Sequence, residues 1–563
     1  RAPRHVMNPP EREGWDEIYQ IVYETATEEE RTVIGIGRRM GEVWYVALLD
    51  AGDAALDRRG AQLQTALSSF KAPGLEKESW AGRSARPLEA AQLEALAAFV
   101  DEARADSKVP GAAVAIVQNG RVVFERGFGV RASGAPDPVT PSSLFLIGSV
   151  TKSLTTLLTA RLVDEGRLEW DRPLVEALPQ FSLANPEITR QVTMKHTACA
   201  CTGLPRQDME FLFEYGEKSP ENTVTSMASM TPTTGFGETF QYSNTMVSTG
   251  GYAAAHAAEP KLPLGAAYDL AMQTRIFEPL GMKTTTFDYA RALAGDHAMP
   301  HGMDLSGAMN PIAIEYERAL LPIRPAGGAW SNVQDMLRYI QMELARGVAP
   351  GGGRLLSEEA LLARREPQVK ITDELSYGLS LFLEQNRGVS IIHHGGNTLG
   401  FTADFFFLPE YGIGAVALAN AGGANAFLDA VRKRLLEILF EGKAEARDNL
   451  DYNLKEAEAM RAKVLEEVDF APDPQWLKPI LGAYEDPSLG KIEVTSAGAG
   501  PAVFDAGEWH SPTALRRGPD GVAKLILTGA PYAGIDFLPG EKDGKRTLTL
   551  DLAQQQYVFE RRK

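Results

Sequence analysis

Cysteine is almost absent from this chain: Cys199 and Cys201 are the two in 563 residues. That count excludes a disulfide-stapled scaffold and a cysteine-built zinc site, and the C-x-C spacing is too close for an ordinary disulfide. Positive charge is in deficit, with 57 basic against 74 acidic residues and a net charge of −17. Neither a nucleic-acid backbone nor an anionic membrane surface suits such a chain. No apolar run approaches the ~20 residues of a membrane-spanning helix. The sequence holds no G-x-S-x-G, which removes the nucleophile elbow of an α/β-hydrolase. No glycine-rich phosphate loop follows a strand-like run. His297 and His301 flank Pro300, which breaks the helix that would align them as ligands. No metal and no cofactor is expected.

Against these absences stand three motifs in order: Ser149-Val150-Thr151-Lys152, Tyr242-Ser243-Asn244 and His394-Gly395-Gly396. S-x-x-K alone is weak, since Ser68 to Lys71 and Ser488 to Lys491 also match. Context favours Ser149. The apolar run Leu144-Phe145-Leu146-Ile147 stops at Gly148, and Val150, Leu154, Leu157, Leu158 and Leu162 then follow helical spacing until Gly166. Lys152 falls one turn after Ser149 on the same face, and a serine at a helix N-terminus sees the positive end of the dipole. Ser68 instead ends a helical pattern, and Ser488 lies in a polar turn.

Tyr242-Ser243-Asn244 is the one Y-x-N in the chain, between Gly235-Phe236-Gly237 and a small-residue helix over 245–258. A phenol beside an ammonium ionises more easily and can take a serine proton. Taken alone, the motif reads sooner as a half-buried tyrosine before a capped helix; the company of the other two motifs reverses that preference. His394-Gly395-Gly396 ends a strand-like run at 389–392, where paired glycines mark close backbone approach. Hairpins are predicted at 112–117 with 121–126, turning on Asn119-Gly120, and at 403–408 with 413–419. Early and late strands thus bracket a helical middle. The fold class expected is α+β, an antiparallel sheet built from both chain ends with the Ser149 helix beside it.

Together these motifs resemble the serine β-lactamase and penicillin-recognising superfamily, most closely its class C-like branch of β-lactamases, DD-peptidases, D-aminopeptidases and β-lactamase-like esterases. Phe277-Glu278-Pro279-Leu280-Gly281-Met282, Ala326-Gly327-Gly328 with Ser331 and Asp335, and Tyr377-Gly378-Leu379 are further landmarks of that branch, and the resemblance runs from about 88 to 439. It implies that Ser149 is the acylated nucleophile, Lys152 its charge partner, and Tyr242 the base and later proton donor to the leaving group. Asn244, His394 and Gly396 would bind substrate, and the backbone N–H groups of Ser149 and Asn397 would form the oxyanion hole. Two positions depart from the pattern. His394 stands where β-lactamases carry the lysine of K-T-G, so a substrate carboxylate is held less strongly and β-lactam turnover is discounted; a histidine there would titrate between about pH 5.5 and 7.5. In His196-Thr197-Ala198-Cys199-Ala200-Cys201-Thr202-Gly203-Leu204-Pro205, Ala200 replaces a second histidine.

A chain of 563 residues allows two or three domains. Residues 1–85 read as a small N-terminal α/β unit, with strands at 32–37 and 43–49 and a helix at 54–70. Residues 86–445 form the catalytic region and 446–475 a charged helical linker. Residues 476–563 alternate short strands with turns, at 491–495, 502–505, 523–527, 546–550 and 556–561. That spacing suggests a small barrel or sandwich and resembles the lipocalin-like β-domains appended to family peptidases. Arg1 in place of methionine implies a start removed by processing or cloning. The function expected is a serine hydrolase forming an acyl-enzyme on Ser149 from a small ester, amide or peptide. A peptidase or amidase acting on D-residue peptides ranks first, a carboxylesterase second and a β-lactamase third. A penicillin-binding receptor that acylates and stalls is the alternative from a different class. The resemblance implies a periplasmic or secreted bacterial protein, though two thiols suit the cytoplasm as well.

Overall fold

Asn119 and Gly120 turn the chain with φ of 52° and 76°, the type I′ geometry that matches strand twist, and so join Gly111–Gln118 to Arg121–Gly129. This hairpin forms one edge of the central sheet in the computed structural model, which describes residues 1–496, 501–553 and 555–562. The sheet has eight antiparallel strands. Their order is Val369–Lys370, Leu375–Tyr377, Phe382–Asn386, Val389–Asn397, Thr402–Leu408, Ile413–Ala419, then the hairpin. Ile413 pairs with Gln118 and Ala419 with Ala112, so the two ends of the catalytic region meet in mid-sheet.

Every residue of Gly111–Gln118 is buried because both faces of the sheet are covered. Ala113, Ala115 and Val117 enter one core with the helices Thr151–Asp164, Asn244–Ala258 and Val333–Leu344. Ala112, Val114 and Ile116 enter the other, beneath Ala90–Asp106 and Asn425–Phe440. The period-two alternation of a strand therefore splits a continuous apolar run between two cores.

The N-terminal unit is a four-stranded antiparallel sheet of Pro3–Met7, Glu17–Tyr23, Arg31–Met40 and Val43–Gly52, followed by the helix Asp53–Ser68. Two of its strands were not legible in the sequence. All seven residues of Glu17–Tyr23 are half-buried, so no clean inside-outside alternation marks them. The helix Ala446–Glu466 buries only Ala446 and Leu450 and leads to the C-terminal unit.

There, eight strands close into a barrel, from Gly482–Asp486 round to Gln556–Arg561, which pair with each other through Tyr484 and Arg561. Phe504, Trp509, Phe537 and Phe559 fill its interior. Among the described residues, each of the eight strands has a partner on both sides. His510–Arg517 and Asp536–Lys542 escaped the sequence reading because Pro512 and Pro539 interrupt their patterns.

One expectation is overturned outright. Cys199 and Cys201 are bridged, with Cα atoms 5.1 Å apart. Ala200 between them takes a φ of 50°, folding the backbone enough for so short a loop to close. Among the described residues, no helix is long and apolar enough to cross a membrane.

Candidate active site

Ser149 lies on a single 3₁₀ turn, Gly148–Val150, and the α-helix proper begins at Thr151, two residues later than the sequence suggested. The turn exists because Gly148 has a φ of 49° and presses on the next strand: a methyl there would stand 2.7 Å from the Asn397 nitrogen. Gly396 is fixed by the same approach from the other side. Its absent methyl would fall 2.1 Å from the Ile147 carbonyl oxygen and 2.9 Å from the Ser149 nitrogen. No side chain fits there, so the strand backbone carrying Asn397 lies directly against the nucleophile turn.

Lys152 is wholly buried under Ser149. Its Nζ stands 2.9 Å from Ser149 Oγ and donates to Asn244 Oδ1 at 2.7 Å and to the Ala326 carbonyl at 2.6 Å. Burial drives this amine well below its ordinary value; Asp208 opposes the shift and Arg206 adds to it. A neutral amine gives its two N–H groups to those two carbonyls and keeps its lone pair for the serine O–H. Tyr242 covers the group, its ring centroid 4.8 Å from Lys152 Nζ and 5.4 Å from the Arg206 guanidinium carbon. Burial pushes the Tyr242 phenol up, although Ser149 and Arg206 pull it down. The sequence had suggested a phenol that ionises easily; dehydration outweighs the neighbouring cation.

Asn244 is the first residue of Asn244–Ala258, capped by the Ser243 hydroxyl. Its carbonyl faces Lys152 and its amide donates to Asp208 Oδ1 at 2.8 Å, which fixes the orientation of both ends. His394 is nearly inaccessible, at 2% exposure. Its Nδ1 lies 2.6 Å from the Gly395 carbonyl and so carries the proton, leaving Nε2 to accept from the Tyr377 hydroxyl at 3.0 Å. Burial first, then Lys152, lowers its pKa to about 3. His394 is therefore neutral across the range in which the sequence expected it to titrate.

These groups open into a cleft of about 500 Å³, walled by Phe211, Leu212, Tyr316, Leu320, Ile323 and Leu399. Apolar walls around a few convergent polar groups are the usual form of a small-molecule site. Arg206, Asp208 and Glu317 also line it and were missed. Arg206 and Asp208 form an ion pair on the loop after Pro205, and nothing in their spacing marks them. Among the described residues, none lining the cleft belongs to the barrel. The barrel instead grips the segment that carries Phe211 and Leu212. Trp509 Nε1 donates to the Leu212 carbonyl at 2.7 Å, Tyr557 to Glu210 at 2.7 Å, and Phe213 is buried against Trp509 and Phe559.

A family model described as Beta-lactamase matches residues 96–440, more than half of the chain. The chain belongs to the beta-lactamase family. Beta-lactamase-family relatives include Penicillin-binding protein 4 of Amycolatopsis lactamdurans, 28% identical over 60% of this chain and 87% of its own length. A beta-lactamase of Escherichia coli is 26% identical over 56% of this chain and 86% of its own. An unguisins hydrolase of Aspergillus campestris is 26% identical over 55% of this chain, which spans 58% of that protein. Among solved structures, the octameric penicillin-binding protein homologue from Pyrococcus abyssi aligns with a TM-score of 0.54 at 23% identity, over 83% of this chain and 99% of its own. That likeness extends the shared fold beyond the family region. The beta-lactamase-family chain is accordingly of the serine hydrolase type.

Proposed function

We propose that this protein hydrolyses an amide or ester through an acyl-enzyme on Ser149, with Lys152 as the base that activates it. The observation that carries this reading is the buried Lys152 Nζ at 2.9 Å from Ser149 Oγ, with both of its N–H groups already engaged. Oγ attacks the carbonyl carbon as its proton passes to Nζ, and the new oxyanion faces the N–H groups of Ser149 and Asn397. The C–N or C–O bond then breaks, and the proton leaves through the Tyr242 hydroxyl to the departing amine or alcohol. Water reverses the sequence and frees Ser149. A phenol that burial keeps protonated cannot take the serine proton first but can relay a proton to the basic departing group, which moves the base from Tyr242 to Lys152.

A neutral His394 offers no cation to a substrate carboxylate. This favours amides, peptides and esters without an acidic group beside the scissile bond over β-lactams. A peptidase or amidase, including one for D-residue peptides, stays ahead of a carboxylesterase; the similarity to a named hydrolase supports turnover. Similarity to a penicillin-binding protein supports the second reading, a receptor that acylates and stalls. We assign catalysis to residues 86–445 and support of the cleft to the barrel.

Incubation with a fluorophosphonate followed by mass spectrometry should give one adduct, on Ser149, and Ser149→Ala should abolish hydrolysis with the fold intact. An adduct elsewhere refutes the assignment. p-Nitrophenyl esters, D- and L-aminoacyl anilides and a chromogenic cephalosporin rank the substrates, and a burst without turnover on all of them would identify the receptor.

A further inference from the structure

Glu317 sits in the 3₁₀ segment Ile314–Ile323 beneath the cleft, with no measurable exposure. One oxygen, Oε1, accepts from the Thr398 hydroxyl at 2.9 Å and from the Gly400 N–H at 2.7 Å. The other, Oε2, is buried and has no hydrogen-bond partner among the described residues. A carboxyl half-satisfied in the interior is expensive to keep. Its two partners belong to the turn that immediately follows Asn397, the residue whose N–H faces the oxyanion. Thr398 passes the restraint on: its hydroxyl also accepts from the Phe401 N–H at 3.0 Å, where the next strand begins.

We propose that Glu317 is a positioning residue for the oxyanion strand: by holding Thr398 and Gly400 it fixes the direction of the Asn397 N–H. The proposal rests on the acyl-enzyme reading above. It also makes catalysis pH-dependent. Burial raises Glu317 to about 7, with Thr398 and the backbone of Gly400 and Leu399 opposing. The ionised carboxylate accepts from Thr398 and Gly400 more strongly than the neutral acid, so the strand is held best above that pH. The groups around Glu317 leave this titration its own. Tyr289 donates to the Glu317 backbone carbonyl at 2.6 Å. Arg318 turns outward over the Tyr289 ring and Glu315 is exposed. Tyr532 of the barrel feels the carboxylate charge but is itself pushed up by burial. His301, across Gly400, is engaged with Asn420 and Ser133, and burial lowers its pKa from the ordinary value.

The experiment uses the full chain. Labelling of Ser149 by a fluorophosphonate is first confirmed by mass, and kcat and KM on a p-nitrophenyl ester are then followed from pH 5 to 9. Wild-type kcat should rise through about pH 7. Glu317→Gln, which mimics the neutral acid, should match wild type at pH 5, fall on the order of tenfold below it at pH 8.5, and leave KM unchanged. Thr398→Val removes a bond that favours the carboxylate and should move the same step to higher pH. A pH profile for Glu317→Gln that keeps the step, or a Thr398→Val step that does not move, overturns the inference while labelled Ser149 leaves the hydrolase reading intact. If Glu317→Gln does not fold, the Thr398→Val step decides. Absence of any Ser149 adduct in wild type defeats both.

Discussion

At the scale of single residues, the centre of the site is a competition between water and charge that water's exclusion wins. Lys152 is sealed from solvent and Tyr242 is half-buried at the cleft, and each is pushed toward its neutral form, although an ammonium beside a phenol would in water drive both toward ions. On the proposed mechanism both act on one proton, so Lys152→Ala and Tyr242→Phe should each lower kcat by on the order of a hundredfold or more. The double variant should lose little beyond the worse single one, as residues acting as a unit do; kcat measured on one ester decides, and multiplying losses would make one of them structural. The sequence made Ser149, Lys152, Tyr242, Asn244, His394, Gly396 and Asn397 legible as residue types in a recognisable order. It could not reveal Arg206, Asp208 or Glu317, because their importance lies in depth and partners, and a single acidic residue in a loop carries no periodic signal.

At the scale of elements, the decisive contact is between the turn Gly148–Val150 and the strand Val389–Asn397. Two adjacent glycines on that strand differ sharply. A methyl at Gly395 would meet nothing nearer than 3.8 Å, whereas one at Gly396 would overlap the Ile147 carbonyl at 2.1 Å. Gly395→Ala should stay within about 1 kcal/mol of wild type in denaturant unfolding. Gly396→Ala should lose about 1–3 kcal/mol and on the order of a hundredfold in kcat, because strand and turn must part. Equal behaviour of the two variants would refute the close approach. The sequence disclosed both hairpins to within three residues, through the turns at Asn119-Gly120 and at Pro409-Glu410-Tyr411-Gly412. It disclosed the nucleophile helix two residues early, since the turn before Thr151 is dictated by Asn397, a contact that no local pattern encodes.

At the scale of the whole molecule, the barrel acts on the cleft without lining it. Phe213, at 1% exposure, seats the loop wall inside the barrel mouth. Phe213→Ala removes about 3–5 kcal/mol of packing, and that loss should appear locally. We expect faster proteolysis at residues 206–218 and a raised KM with little change in kcat; a fall in kcat alone would show that the barrel reaches the chemistry. The alternating strands of the tail announced a small barrel or sandwich, and a closed barrel is present, while its grip on Phe213 depends on contacts about 300 residues apart in sequence and was invisible. The same remoteness governs how the enzyme comes into being. The strand Gly111–Gln118 pairs at once with its hairpin neighbour Arg121–Gly129, but its other edge is met only by Ile413–Ala419, and Ser149 and Asn397 arrive on segments separated by most of the family region. Ordering so distant a pairing is slow, and chain emerging from a ribosome must carry the early hairpin with one apolar edge uncovered until the late strand is made. Each newly synthesised molecule therefore lacks the contact between Ser149 and Asn397 until its sheet is whole, and on the proposed mechanism the first acylation of Ser149 doubles as a clock for the completion of folding.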